Sequence, residues 1–244
     1  MELAFAILVV AAASASLDAA DVIRRRGSAQ GVSGEIKSMS RTEITITNST
    51  GDEVKVPVSE IADVTWDDEP ADARQARSDE NGGRLDRAIE NYRKALDDPG
   101  EIRSMVKAEL QYAITRCTVK AAINDPAKAD AAARAMETFV NGPGDNSWQY
   151  YPAVALLAEL YVAKKDFTRA ATTFGLLAKS PAKDQQMTAK VGLGRIAAAE
   201  NKLAEASAAY DEVIAMPANK PSEVSQRHAA MLGKASLLIA QSQF

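Results

Sequence analysis

Cysteine and histidine are almost missing from this chain of 244 residues, which has one of each, Cys117 and His228. A lone cysteine excludes an internal disulfide framework, and a single histidine without a cysteine pair excludes the usual zinc sets, so no metal site is expected. Cys117 lies in the apolar-periodic stretch 110–122 and is expected to be a buried structural thiol. Positive charge has no excess: the net charge is -4, whereas a nucleic-acid partner requires a basic face. No phosphate loop is present, because Gly192 and Gly194 lack the third glycine and the lysine of such a loop. A Ser-His-Asp set would have to use His228, which is far from any strand-turn-helix elbow. Glu159 and Glu200 have no carboxylate partner at catalytic spacing. Neither an enzyme nor a cofactor is expected.

What the chain does have is a pattern of paired helices. In residues 150–181, Val154, Leu157, Ala158 and Tyr161 recur at three- and four-residue steps and so share one helix face. Lys164, Lys165 and Asp166 form a polar break. Phe167, Ala170, Phe174 and Leu177 then repeat the spacing until Pro181, which has no N–H to continue the ladder. The pattern returns 36 residues later. Gly194 takes the slot of Ala158, and Leu203, Ala206, Tyr210, Val213 and Pro217 take those of Phe167, Ala170, Phe174, Leu177 and Pro181. It also occurs earlier, where Leu85, Ala88, Tyr92, Ala95 and Pro99 fill the same slots. A period in this range that carries two helices is the mark of a repeat array.

These residues resemble the tetratricopeptide repeat, whose second helix places an alanine, an aromatic and a second alanine at four- and three-residue steps and ends at a proline. Residues 83–99 carry the clearest match, and the likeness covers about 70–244. It implies an α-α superhelical array, with the last repeat incomplete, that binds a protein or peptide ligand. The groove is expected on the concave face, lined by the first helix of each hairpin. Glu159 and Arg195 are the candidate binding residues, over a shallow apolar floor of Ala155, Val162 and Ala198.

Before the array the period changes. Residues 3–15 are an uninterrupted apolar run ending in Ala13, Ser14 and Ala15, as in a secretory leader. Residues 1–19 are therefore expected to be a signal peptide or N-terminal anchor, and the only segment touching a membrane. Residues 34–39, 43–47 and 53–58 alternate with period two around a turn at Asn48, Gly51 and Asp52. Residues 59–63 read as one helical turn and 64–66 as a closing strand. Gly34, Ile36, Ile44, Ile46, Gly51, Val56 and Val64 resemble a small Sm-like or SH3-like β-barrel, expected over 21–66. The Asp, Asn and Arg-Gly motifs of RNA-binding Sm-like rings are absent, so the resemblance implies a fold and not RNA binding. Arg24, Arg25 and Arg26 read as a solvated face, and residues 67–70 as an acidic linker. Asp125 and Pro126 signal a helix start, as N-cap and first helical residue.

The expected protein is multidomain and mainly α. It is a non-enzymatic scaffold or adaptor of the bacterial cell envelope, exported to the periplasm or envelope surface. The alternative is an accessory domain of a longer enzyme or envelope-assembly factor that continues beyond residue 244.

Overall fold

The period-two stretches form strands in the computed structural model, which describes residues 20–123 and 125–242. The expected leader, residues 1–19, lies outside the described residues. Five strands form one antiparallel sheet: β1 (Asp21–Arg25), β2 (Gly31–Met39), β3 (Glu43–Asn48), β4 (Glu53–Pro57) and β5 (Ile61–Thr65), in the order β4-β3-β2-β1-β5. Ile36 faces Ile46 and Ile44 faces Val56 across adjacent strands, which puts the apolar residues on one side. Register shifts leave one extra residue in β2, Lys37 between Ile36 and Ser38, and one in β5, Ala62 opposite Arg24 and Arg25, and bend those strands. A 3-10 turn over Val58–Glu60 carries the chain from one edge of the sheet to the other. Three residues reach only about 6 Å, so the sheet must curl strongly to bring its edges together.

The expected barrel is not closed. β4 and β5 occupy opposite edges and share no ladder among the described residues. The reason is what covers the apolar face. Ile23, Ile36, Ile44, Ile46, Val56, Val64 and Trp66 form one core with Ala73, Ala76, Ala88, Tyr92, Val106 and Leu110 of the first three helices. Helices fill the interior that a closed barrel would fill with its own strands. The last strand also begins earlier than expected: Ile61 pairs with Arg25 and is fully buried in the same core as Val64.

Nine helices follow among the described residues: α1 (Ala71–Asn81), α2 (Leu85–Leu96), α3 (Ser104–Ala122), α4 (Pro126–Val140), α5 (Tyr150–Ala163), α6 (Phe167–Leu177), α7 (Lys183–Ala199), α8 (Leu203–Ala215) and α9 (Pro221–Ser242). The protein is thus mainly helical with a small antiparallel sheet. Each helix packs on the next, and α3, α5, α7 and α9 also lie side by side. The alanine slot (Ala88, Ala170, Ala206) is fully buried, and the aromatic slot (Tyr92, Phe174, Tyr210) is at most 2% exposed. Asp125 caps α4 by accepting a hydrogen bond from the Ala127 N–H at 3.1 Å, with Pro126 next to it.

The turns inside three hairpins are alike. Gly83, Lys165 and Asn201 have φ of 73°, 60° and 60°. The next residue in each turn, Arg84, Asp166 or Lys202, donates its N–H to Asp79, Tyr161 or Ala197 O at 2.8, 2.9 and 2.8 Å. A left-handed residue followed by this back-bond ends a helix and satisfies its last carbonyls. The 36-residue spacing between Lys165 and Asn201 is therefore present in the backbone as well as in the side chains.

Candidate functional site

The region of the sheet is fastened to the beginnings of α3, α5 and α7 by charged side chains. At the start of α3, Arg103 donates from Nη1 and Nη2 to the two Asp21 oxygens at 2.9 and 2.6 Å. Its Nη2 also reaches Asp67 at 2.9 Å and Asp68 at 2.6 Å, and its N–H donates to Asp68 at 3.1 Å. One carboxylate oxygen from each of the three aspartates lies within 4.8 Å of the other two, a spacing that would suit a cation. The Arg103 guanidinium supplies that positive charge. Asp21 is 1% exposed, and burial pushes its carboxyl up, but Arg103 and the Ile36 and Asp67 N–H groups outweigh burial and hold it below its ordinary value. The stretch expected as an acidic linker is thus tied at both ends, since Glu69 pairs with Arg77 at 2.8 Å.

At the start of α5, Arg41 bonds to both the backbone and the side chain of Asp145 and stacks 3.8 Å over the Tyr150 ring. Near the start of α7, Arg26 reaches Asp184 at 3.4 Å. In the basic run expected as a solvated face, Arg24 and Arg26 are exposed and each has a surface partner. Arg24 pairs with Asp63 at 2.7 Å, and Arg26 also donates to the Ile61 carbonyl at 2.8 Å.

This fastening leaves a cleft of about 720 Å³ between the β1–β5 edge, the end of α1, the middle of α3 and Trp148. Its charges largely neutralise one another. Glu80 accepts two hydrogen bonds from Arg116 at 2.8 and 2.7 Å, one from Lys120 at 2.9 Å and one from the Tyr92 hydroxyl at 3.1 Å. Burial raises the Glu80 carboxyl, but the Arg116 and Lys120 bonds more than offset it and hold it down to about 2. Glu109, on the same wall, is pushed up by burial; Arg116, Arg77 and the Gln149 amide only partly counter this. Two carboxylates in one cleft thus shift in opposite directions. Glu80 is saturated by its partners and acts as a fastener between α1, α2 and α3.

Glu159 and Arg195, the expected binding residues, are brought together on α5 and α7. Arg195 Nη1 donates to both Glu159 oxygens at 2.9 Å. The side chains are 44% and 34% exposed for Arg195 and Glu159 respectively. An exposed pair of this kind contributes about 0–1 kcal/mol, so a ligand can open it at small cost. Ala155 and Val162 beside it are partly buried against the central core, and Ala198 against the last one.

Sequence reasoning missed Arg103, Glu80, Glu109 and Arg116. Arg116 had a readable signal, since it is a charged residue inside the apolar-periodic stretch 110–122, and Glu109 stands directly before that stretch. Cys117 is fully buried, and burial pushes its thiol up to about 12, so it is inert as a nucleophile at neutral pH. Among the described residues no helix is long and apolar enough to cross a membrane. No protein-family model matches this chain, and no curated protein matches it.

Proposed function

We propose that this protein is a non-enzymatic, protein-binding scaffold of the bacterial cell envelope, built on a tetratricopeptide-like array and exported through residues 1–19. The observation that carries the reading is the side-by-side packing of α3, α5, α7 and α9, which makes one continuous face out of the first helices of successive hairpins. The recurring left-handed turn at Gly83, Lys165 and Asn201 supports the repeat reading, because it gives each hairpin the same geometry. The sheet, locked across the starts of α3, α5 and α7, stiffens one end of that face. An extended or helical peptide would lie along α5 and α7, displace the Glu159–Arg195 pair and contact Ala155, Val162 and Ala198.

The test is site-specific photo-crosslinking in growing cells, with the crosslinker at Ala155 or Ala198 and a control at the exposed Lys94 on α2. The reading expects a discrete adduct at the first two positions, weakened when Glu159→Lys and Arg195→Glu are each introduced, and none at the control. Adducts equal at all three positions, or none at any, would sink it.

A further inference from the structure

Helix α9 presents large apolar residues on the side away from the array. Met231, Leu232, Leu238 and Ile239 are 44%, 70%, 57% and 58% exposed. Its opposite side is accounted for. Ala230 and Leu237 are buried in the last core, and Gly233 lies so close to Tyr210 that a Cβ there would come within 2.5 Å of the ring.

The exposed residues are symmetric in sequence. Leu232 and Leu238 stand three positions to either side of Ala235, and Met231 and Ile239 stand four. At about 100° per residue all five fall within about 60° of the direction of Ala235, so they make one stripe with a small residue at its centre. Charge is nearly absent from it. Between His228 and Gln241 the only Asp, Glu, Lys or Arg is Lys234, at the flank of the stripe and bonded to Asp211 on α8.

We propose that this stripe is a self-association surface, on which two copies of the chain meet with their α9 helices antiparallel about a twofold axis beside Ala235. A twofold contact places each patch against its own copy, and a charged stripe would repel itself. Here the match is apolar and close to palindromic. Reversing one helix about Ala235 sets Leu232 of each copy against Ile239 of the other, and Met231 against Leu238. The small Ala235 lets the helix axes approach to about 9 Å. One helix per copy covers less than the roughly 800 Å² per partner of a standard stable interface, so the dimer should dissociate on dilution.

The test uses the full chain with Ala235→Cys, and Ser225→Cys at the other end of α9 as control. Cys117 is fully buried and stays silent. At the expected approach the two Ala235 Cα atoms lie roughly 4–6 Å apart, within disulfide reach, whereas the two Ser225 positions are on the order of 30 Å apart. Mild oxidation is expected to convert A235C, and not S225C, to a covalent dimer. Sedimentation of the unmodified chain should show a monomer–dimer equilibrium, weakened at least tenfold by Leu232→Glu, a change at a side chain already in water. A chain that stays monomeric at every concentration would overturn the proposal. So would association in which A235C cross-links no better than S225C, which would put the contact on another face, on residues 1–19, or with a foreign helix.

Discussion

The two ends of this molecule are fastened by different physics. At the sheet and α1–α3, buried carboxylates are gripped by arginines: Asp21 by Arg103, Asp79 by Arg84 at 2.7 Å, and Glu80 by Arg116. From α5 to α9, rings are seated in sockets made by glycine. The Phe174 ring lies against Gly192, and the Tyr210 ring lies between Gly194 and Gly233. A Cβ at Gly194 would fall 2.7 Å from Tyr210, well inside contact distance. The difference follows from what is joined. Hairpin on hairpin is a repeated helical contact, and close approach with good fit is enough. A sheet laid across helix starts leaves ends and edges with unsatisfied polar groups, and charged side chains both reach and satisfy them.

That contrast can be broken at either end, and the largest effect is expected at Arg103. Replacing Arg103→Ala leaves Asp21, Asp67 and Asp68 facing one another around a buried carboxylate. Removing one partner of such a cluster costs about 3–5 kcal/mol, read as a lower urea midpoint. Arg103→Lys should recover only part of it, because an ammonium cannot span the three carboxylates as a guanidinium does. A loss under ~1 kcal/mol would mean that the cluster is ornamental.

Next in size is Gly192→Ala. The added methyl would overlap the Phe174 ring, and overpacking of a tight seam costs about 1–3 kcal/mol. Because this seam carries no charge, the loss should be the same at low and high salt. The smallest effect is expected for Glu159→Ala, whose exposed pair with Arg195 contributes about 0–1 kcal/mol to folding. Its consequence should fall on ligand capture and not on the melting temperature.

The hairpins were legible in the sequence because both their faces and their turns are local. Ala170 and Phe174, or Ala206 and Tyr210, state a helix face within a few residues, and the 36-residue step repeats it. Nothing local announces Arg103. Its partner Asp21 is 82 residues away, and only the folded sheet brings the two together. For the same reason alternation in residues 21–66 showed strands but not what would cover them, and the barrel was expected to close on itself. Glu159 and Arg195 were readable as one position in consecutive repeats. Their bond to each other follows from that stacking, which sequence spacing alone does not display.

The measurement that bears most directly on the two-fastener account is amide hydrogen exchange, mapped by segment at neutral pH and at about pH 3. Glu80 titrates at about 2 in the folded protein against an ordinary value near 4.5. A lowered folded value means that its stabilisation is complete above the ordinary value and is lost as pH falls toward the folded one. Asp21 and Asp68, at the same end, are lowered in the same sense, against burial, by Arg103. Acid should therefore release protection in the sheet and α1–α3 first, while α6, α7 and α8 keep theirs. Protection lost evenly along the chain, or first from the glycine-socketed helices, would contradict the account.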